Sequence, residues 1–476
     1  MKNVYFIGIG GIGMSALARY FLHRQKPVAG YDRTCTPLTQ ALEREGALVH
    51  YEDDALLIPD VFKNNGNNTL VVYTPAVGND SRELEFFRKS GIRTVKRAEA
   101  LGVIAVGKKL LAVSGTHGKT TTSAMLAHIL TEVGGGCNAF LGGISKNYGS
   151  NLLLSDANLM VAEADEYDRS FLHLFPDVAV VTAVDADHLD VYGSLEEVQR
   201  AFKDFVSHVK PSGALVIKKK LVRNGKPAFM QHFDKRIYTY AFDEHADFYA
   251  FNLKPLEGGY FSFDLYLRGQ TLRGCTLGVP GWVNVENAVA ASAAAWAAGV
   301  NLRLLPEALK TFRGVQRRLD VHLRTPNFAY IDDYAHHPEE LRAAITSIRG
   351  MFPGKKLTGI FQPHLYSRTR DFAPAFAESL SLLDELILLD VYPAREEPVE
   401  GVSSALIFDR VSIADKTMCS KSDLLGVLRG KQVETLVTLG AGDIDTLVEE
   451  IRDELKGRSK GLSVENTTSC ESAATR

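Results

Sequence analysis

Residues 110–122 read LLAVSGTHGKTTT, a buried-strand pattern that leads into a glycine turn and a helix start. Such a turn directs several backbone N–H groups and the positive end of a helix dipole at one point, where a phosphate can bind. Gly115 and Gly118 enclose only Thr116 and His117, whereas the standard nucleotide-binding loop has four residues there. We therefore expect a shortened ATP-binding loop.

The side chains that follow this turn suit ATP chemistry. Lys119 would place a positive charge on the terminal phosphates, and Thr120 would offer a hydroxyl to Mg²⁺. A glycine turn before an ordinary surface helix is the weaker interpretation, because Gly-Lys-Thr directly after an apolar strand seldom arises by chance. The residues of this loop predicted to bind ATP are Gly115, Thr116, His117, Gly118, Lys119, Thr120 and Thr121.

The composition indicates a multidomain protein with small ligands. A chain of 476 residues suggests about two to four domains. Its net charge of -3, without a long basic block, argues against nucleic acid or an anionic membrane as a partner. The longest apolar run, 288–300, is shorter than the roughly 20 residues of a membrane helix, and the glycine-interrupted start does not resemble a signal peptide. The five cysteines lack metal-type spacing, so we expect a reduced, cytoplasmic protein.

A second glycine turn lies near the start of the chain. Residues 3–13 read NVYFIGIGGIG, and an acidic residue follows about twenty positions later, after the next predicted strand. This is the dinucleotide-binding pattern, in which glycines let the backbone approach a diphosphate closely. The glycines leave open whether the ligand is NAD, FAD or another diphosphate. The residues predicted to contact it are Gly8, Gly10, Gly11, Ile12, Gly13 and Asp32.

Two acidic clusters follow predicted strands after the ATP loop. The strand at 159–162 ends in EADEYD (163–168), and the strand at 178–184 ends in DADHLD (185–190). Ligands of an open parallel sheet gather at the carboxyl ends of its strands, so both clusters should face the ATP loop rather than only solvent. Glu163 with Thr120 forms a plausible set of Mg²⁺ ligands, and His188 could serve a second ion. The aromatic-rich region 238–277 predicts antiparallel strands.

A third segment again combines strands with a polar loop. The strand at 328–331 ends in DDYAHHPEE (332–340), where a proline followed by two glutamates predicts a helix start. Further predicted strands at 357–361, 385–389 and 435–439 indicate another doubly wound unit. The residues after about 457 are poor in apolar side chains and predict a disordered tail.

The fold class predicted from these patterns is α/β with three domains. A Rossmann-like domain occupies residues 1–106. A P-loop-type ATPase domain, with a parallel sheet and a small antiparallel sheet, occupies residues 107–322. A second Rossmann-like α/β domain occupies residues 323–456, and residues 457–476 form the tail.

Several motifs, taken in chain order, resemble those of the Mur ligases. They are GIGGIG (8–13), GTHGKTTT (115–122), EADE (163–166), DDYAHHP (332–338) and FQPH (361–364). The likeness spans about residues 1–455, and the order of the motifs is far more specific than any one of them. It implies that the first glycine turn binds a UDP-sugar and not a nicotinamide.

The resemblance also implies a reaction. The lactyl carboxylate of UDP-N-acetylmuramate would attack the γ-phosphate of ATP, and the amine of L-alanine would attack the resulting acyl phosphate. Asp333, or alternatively His336, could accept the proton of the amine. The implied catalytic residues are Lys119, His188, Arg318 and Asp333. The implied metal ligands are Thr120, Glu163 and His188, the further ATP contacts are Asn284, Asn287 and Arg318, and the amino-acid contacts are Tyr334, His336, His364 and Arg368.

Three other functions stay open at this point. A related ligase would join a preformed tripeptide to the same sugar. An NAD-dependent oxidoreductase with an added ATPase module would also explain the first glycine turn. A non-catalytic nucleotide-binding regulator would hydrolyse ATP slowly and without stimulation by an amino acid. We expect a monomer or a homodimer, which these patterns do not distinguish.

Overall fold

A computed structural model of the chain describes residues 2–63, 68–74, 77–78, 80–185, 189–325, 328–394 and 396–457. These residues divide into two compact units. The first unit contains the chain up to Pro255 together with Phe261–Val279 and Asn284–Gln316, and the second contains 256–260, 280–283 and the chain from Arg317 onward. Within the described ranges, each helix is too short or too polar to cross a membrane.

The first unit begins with alternating strands and helices. They are β1 (Asn3–Ile7), α1 (Ile12–His23), β2 (Val28–Tyr31), α2 (Pro37–Arg44), β3 (Leu48–His50), α3 (Asp60–Lys63), β4 (Thr69–Tyr73), α4 (Arg82–Lys89), β5 (Thr94–Lys96) and α5 (Arg97–Ala105). In the described chain the strands pair in parallel in the order β3-β2-β1-β4-β5. Both faces of β1 are buried, as in a doubly wound sheet. The first glycine turn therefore follows the central strand.

A second group of elements surrounds the ATP loop and includes a larger sheet. The elements of this group are β6 (Lys109–Ser114), α6 (Lys119–Val133), β7 (Asn138–Ser145), β8 (Ser150–Leu153), β9 (Leu159–Glu163), β10 (Val178–Val181), α7 (Leu189–Tyr192), α8 (Leu195–Ser207), β11 (Ala214–Lys218), β12 (Val222–Arg223), β13 (Lys226–Pro227), β14 (Arg236–Phe242), β15 (Phe248–Pro255), β16 (Phe261–Leu267), β17 (Gln270–Thr276), α9 (Trp282–Ala297) and α10 (Leu305–Thr311). The strand order of the larger sheet among described residues is β17-β16-β15-β14-β11-β10-β6-β9-β7-β8, and β12 and β13 form a separate two-stranded sheet. β6 pairs in parallel with both β9 and β10, so the two acidic strand ends flank the ATP loop.

The predicted antiparallel region is antiparallel only in part. β14 pairs in parallel with β11 and with β15, and antiparallel pairing begins between β15 and β16. The antiparallel strands therefore extend the parallel sheet. The reason is local: residues 243–247 return the chain to the middle of β14, where Asp247 Oδ2 accepts a hydrogen bond from Thr239 N at 2.8 Å. Alternation of aromatic residues predicts strands but does not report their direction.

The second unit contains a sheet built on the same plan. Its elements are β18 (Asp320–Arg324), β19 (Ala329–Asp333), α11 (Pro338–Met351), β20 (Leu357–Phe361), α12 (Tyr366–Leu380), β21 (Glu385–Leu388), α13 (Ala405–Phe408), β22 (Lys416–Met418), α14 (Leu424–Arg429) and β23 (Thr435–Leu439). The described strands are ordered β18-β19-β23-β20-β21-β22, and β18 is antiparallel to β19 while the other pairs are parallel. Pro338 occupies the first turn of α11 with His337 as N-cap, which confirms the predicted helix start.

The α/β class predicted from the sequence is confirmed. The boundaries predicted at residues 106, 322 and 456 stay a prediction. Most of the predicted tail lies outside the described residues, and its first residue, Gly457, is helical, as are residues 448–456 before it.

Candidate active site

The ATP loop connects β6 to α6 through a turn that requires glycine. Gly118 is the N-cap of α6 and has a φ of 81°, and Gly115 has a φ of 136°. A Cβ atom at Gly115 would lie 2.7 Å from the backbone nitrogen of Ala183, just beyond β10. The turn is therefore pressed against the neighbouring strand end. The first backbone N–H groups of α6, which have no partner within the helix, surround its open side.

Lys119 is already bound to acceptors of its own unit. Its Nζ donates to the carbonyl oxygen of Gly115 at 2.7 Å and to Glu166 Oε1 at 2.8 Å. Burial alone would lower the pKa of Lys119, but the carboxylates of Glu166, Asp165 and Glu163 outweigh it and raise that pKa above its ordinary value. The lysine is therefore held as a cation inside the turn.

Two of the three predicted metal ligands lie in contact. The hydroxyl of Thr120 donates to Glu163 Oε1 at 3.0 Å, and the backbone N–H of Gly142 donates to Glu163 Oε2 at 3.0 Å. A hydroxyl and a carboxylate are oxygen donors of the kind that Mg²⁺ prefers, so this pair fits the ion. The third predicted ligand, His188, lies outside the described residues. Within the described ranges, no group of three or more His, Cys, Asp or Glu side chains is placed to hold a metal.

The other predicted residues of the loop lie beside the second acidic strand end. Thr116 Oγ1 donates to Asp185 Oδ2 at 3.3 Å, and His117 Nε2 lies 3.7 Å from the same oxygen. Thr121 is buried in the first turn of α6. Asp185 therefore faces the loop, as expected for that cluster.

The asparagines of α9 approach the same helix start. Asn287 Oδ1 accepts a hydrogen bond from Thr122 Oγ1 at 3.2 Å, and Asn287 Nδ2 donates to Asn284 Oδ1 at 3.4 Å. A Cβ atom at Gly118 would lie 3.0 Å from Asn287 Oδ1. The predicted asparagine pair is therefore placed next to the loop, whereas Arg318 belongs to the second unit.

The first glycine turn is organised by a carboxylate. The backbone N–H of Gly10 donates to Asp32 Oδ2 at 2.7 Å, and Gly11 N donates to the carbonyl oxygen of Gly8 at 3.3 Å. Gly8 has a φ of 84°, and α1 begins with Ile12 and Gly13. The structure thus brings the six predicted residues together and shows that Asp32 fixes the turn itself.

In the second unit, Asp333 is a buried carboxylate at the end of β19. It accepts hydrogen bonds from the backbone N–H groups of Leu319 at 2.7 Å and Ala335 at 2.8 Å. Burial raises the pKa of Asp333 to about 6, although Arg318 and the two N–H groups act in the opposite direction. The carboxylate can therefore change its protonation state near neutral pH.

Two neighbouring arginines flank Tyr334, and they differ in their partners. The guanidinium carbons of Arg317 and Arg318 lie 5.1 Å and 5.0 Å from the Tyr334 ring centroid. Arg317 also donates to Asp332 Oδ2 at 3.2 Å and to the carbonyl oxygen of Gly440 at 2.6 Å. Arg317 therefore stabilises the unit, whereas Arg318 acts on the carboxylate of Asp333.

Three of the predicted amino-acid contacts form a row of rings. The ring centroids of Tyr334 and His336 are 5.2 Å apart, those of His336 and His364 are 6.0 Å apart, and Tyr392 extends the row at 5.9 Å from His364. Arg368 is buried in the first turn of α12, two residues after the helix begins. The row follows the carboxyl ends of β19 and β20, where ligands of such sheets bind.

Some residues of these sites were missed in the sequence. Glu166 lies within the EADE motif, but the sequence does not indicate that it pairs with Lys119. Tyr392 lies shortly after β21. The available signal in the sequence was its place just beyond the carboxyl end of the strand predicted at 385–389. Arg317 differs from Arg318 only through contacts that the sequence does not show.

Comparisons with known proteins agree with this arrangement. Three domain families match successive parts of the chain: the Mur ligase family catalytic domain over residues 3–109, the Mur ligase middle domain over 113–295 and the Mur ligase glutamate ligase domain over 317–442. The chain belongs to the Mur ligase family. The resemblance seen in the sequence is therefore confirmed.

Individual members of the Mur ligase family are similar over nearly their whole length. The UDP-N-acetylmuramate--L-alanine ligase of Parabacteroides distasonis is 53% identical over 453 residues, which cover 95% of this chain and 97% of that protein. The corresponding ligase of Porphyromonas gingivalis strain W83 is 50% identical over 459 residues, covering 96% and 99%.

Solved structures of Mur ligases share the fold. The UDP-N-acetylmuramate-alanine ligase MurC of Thermotoga maritima has a TM-score of 0.79 and 27% identity, covering 96% of this chain and 99% of that chain. A murein peptide ligase from Psychrobacter arcticus has a TM-score of 0.70 at 21% identity, covering 96% and 99%, which shows likeness of fold alone. Membership of this family identifies the chain as a ligase and disfavours the oxidoreductase and regulator alternatives.

Proposed function

We propose that this chain joins L-alanine to the lactyl carboxylate of UDP-N-acetylmuramate and cleaves ATP to ADP and phosphate. The observation that carries the proposal is the ATP loop, in which Lys119 is held as a cation beside the Thr120–Glu163 pair. Relatives that are about half identical over nearly the whole chain bear the name of this activity. The tripeptide-recycling ligase remains the alternative that the test below must exclude.

In the first step, the lactyl carboxylate attacks the γ-phosphorus of ATP and ADP leaves. Phosphoryl transfer needs positioning and charge neutralisation more than covalent assistance. Lys119 would exchange Glu166 for phosphate oxygens, while the loop N–H groups, Asn284 and Asn287 would hold the nucleotide and Arg318 would add positive charge. Mg²⁺, when bound with ATP, would neutralise phosphate charge, and Thr120, Glu163 and His188 would be the residues that hold it.

In the second step, the amine of L-alanine attacks the acyl phosphate, and inorganic phosphate leaves as the amide bond forms. The attacking nitrogen must lose a proton, which Asp333 would accept at a carboxylate oxygen. With a pKa of about 6, Asp333 is largely ionised at neutral pH and can act as this base. Tyr334, His336, His364 and Arg368 would orient the amino acid.

The first glycine turn would bind the diphosphate of the UDP-sugar through Gly8, Gly10, Gly11, Ile12 and Gly13. Each predicted domain, 1–106, 107–322 and 323–456, would then contribute one reactant. We assign the reaction to the cytoplasm, with small molecules as its partners and with a monomer or homodimer as the active form. The four described cysteines are free thiols, which suits a reducing compartment.

The deciding experiment measures phosphate release with ATP, Mg²⁺ and UDP-N-acetylmuramate. Three parallel reactions contain L-alanine, the tripeptide L-alanyl-γ-D-glutamyl-meso-diaminopimelate, or no acceptor, and product masses are recorded. We expect release that depends on L-alanine and a product heavier by one alanyl residue. Release with the tripeptide but not with L-alanine would instead identify the recycling activity. If neither L-alanine nor the tripeptide stimulates release, both ligase activities are contradicted.

A further inference from the structure

The residues directly after β9 contact the second glycine turn of the first unit on one side and the start of α5 on the other. We call residues 165–168 the acidic turn. On one side, Glu166 Oε1 accepts a hydrogen bond from Lys119 Nζ at 2.8 Å. On the other side, Asp165 Oδ2 lies 3.4 Å from Arg97 Nη2, and Asp168 Oδ2 lies 2.7 Å from Lys96 Nζ. Two successive cations at the start of α5 therefore hold two carboxylates of the turn that also holds Lys119.

The backbone at the end of the acidic turn is strained. Asp168 and Arg169 have φ values of 53° and 55°, a region that non-glycine residues seldom occupy in succession. Such a conformation persists only where its surroundings hold it. Here Lys96 holds Asp168, while Glu197 lies 3.4 Å from Arg169 and the ring of Tyr192 lies under its guanidinium. The ion pairs therefore help to set the position of Glu166.

Arg97 also covers the helix that follows the first glycine turn. A Cβ atom at Gly13 would lie 2.6 Å from Arg97 Nη1 and 3.0 Å from its Cδ. α5 packs equally closely on the segment after the acidic turn, since a Cβ atom at Gly102 would lie 2.5 Å from the carbonyl oxygen of His173. Arg97 thus lies between the first turn of α1 and Asp165.

We propose that Arg97 is a positioning residue that links the first glycine turn to Lys119 through Asp165 and Glu166. The inference rests on the proposed function, which assigns a UDP-sugar to the first turn and ATP to the second. Its physical basis is charge as well as geometry. Asp165 lies near enough to act on Lys119, and Arg97 offsets the negative charge that Asp165 would otherwise present to nucleotide phosphates.

A link of this kind has a reciprocal consequence. A ligand that fixes α1 and Arg97 changes the affinity of the nucleotide loop, and the nucleotide changes the affinity of the first turn by the same factor. In the wild-type protein, UDP-N-acetylmuramate should therefore strengthen ADP binding by about fivefold, the lower end of typical coupling between sites. Arg97→Ala and Asp165→Asn should each abolish this shift.

The test is calorimetric titration of the full chain with ADP, with and without UDP-N-acetylmuramate. Arg93→Ala is the matched control, because Arg93 Nη2 lies 3.4 Å from Glu99 Oε1 but this pair is largely exposed. We expect the control to keep the shift, and Arg97→Lys to restore part of it. A loss of the shift that came only from a change in fold would not be partly reversed by lysine at position 97. A melting curve of each variant checks that it is folded.

The possible outcomes distinguish failure of the Arg97 link from failure of the proposed function. Loss of the shift in Arg97→Ala and Asp165→Asn, with retention in Arg93→Ala, supports the link. No shift in a wild-type protein that binds both ligands, or a full shift in Arg97→Ala, overturns the link alone. A wild-type protein that binds neither ADP nor the UDP-sugar contradicts the proposed function and the link with it. If Arg97→Ala does not fold, Asp165→Asn decides the question.

Discussion

The two glycine turns of the first unit share a plan but differ in charge. Each follows a buried parallel strand and precedes a helix, yet the first turn contains no lysine and is fixed by Asp32, whose carboxylate accepts the N–H of Gly10. The second turn contains a cation, Lys119, which is paired with Glu166. A turn of N–H groups can hold a diphosphate that does not react. A turn with a movable cation can stabilise charge that shifts during phosphoryl transfer.

From this comparison we expect removal of the Lys119 cation to lower activity more than any other single change in the two turns. Lys119→Ala should lower kcat/KM by about 100- to 1000-fold, the loss expected when one preorganised charge at the reacting centre is removed. Steady-state phosphate release measures it. The variant also removes a partner of the buried Glu166, so Lys119→Ala/Glu166→Gln serves as a control that should regain stability without activity. Activity near the wild-type level would show that the second turn, like the first, functions without a lysine.

Substitution of a glycine by alanine should destabilise the protein more in the second turn than in the first. Gly115→Ala would force a methyl group against the backbone of Ala183 at a φ of 136°, and we expect a loss of about 3 kcal/mol in the free energy of unfolding. Gly13→Ala meets the flexible end of Arg97, which can move, so we expect about 1 kcal/mol. Urea denaturation compares the two variants. Equal losses would show that the second turn is no more tightly packed than the first.

Lys119 of the second turn should not determine the acid limb of the pH profile, because its pKa is raised and it stays protonated. That limb should come from Asp333, which must be ionised to accept a proton and has a pKa of about 6. We expect kcat/KM for L-alanine to fall about tenfold per pH unit below that value. A midpoint shifted by a full unit or more would assign the base elsewhere.

The same carboxyl predicts a change in stability. Its pKa is higher in the folded protein than in the unfolded chain, so its contribution is fully present below about pH 4 and is lost as the pH rises through 6. Unfolding free energies at pH 4 and pH 7 measure this loss. Asp333→Asn should remove it, which distinguishes this group from other titrating side chains.

A change in Asp32, which anchors the first turn, should affect one substrate more than the other. Asp32→Asn weakens the hydrogen bond from Gly10, and we expect the KM for UDP-N-acetylmuramate to rise about tenfold, in line with the loss of one bond to a charged group. The KM for ATP should change less than about twofold, because the second turn keeps its contacts. Equal effects on both substrates would remove the distinction between the turns.

Much of this arrangement follows from local sequence. The apolar runs before the two glycine turns, the acidic residue that ends β9 and the proline that opens α11 each determine structure within a few residues. They therefore predict β1, β6, α11 and the place of Glu163 without knowledge of the fold. The order of these motifs along the chain then indicates the family.

Other features depend on contacts between distant segments. The choice of Glu166 as the partner of Lys119 joins the end of β9 to the start of α6. The difference between Arg317 and Arg318 depends on Asp332 and Gly440, more than ten and a hundred residues away. The parallel pairing of β14 depends on β11, which the aromatic alternation of β14 does not reveal.

The continuous sheet behind the ATP loop has a consequence for cooperativity. β14 is hydrogen-bonded to β11, so a fragment that stops before residue 236 would expose an unpaired strand edge, which favours aggregation. Amide hydrogens of β6 and β10, paired on both sides and buried, should exchange with solvent only on global unfolding. Those of β17, at the outer end of the sheet, should exchange through local opening. The ATP loop is thus attached to the slowest-exchanging part of its sheet, and its geometry lasts as long as the folded unit does.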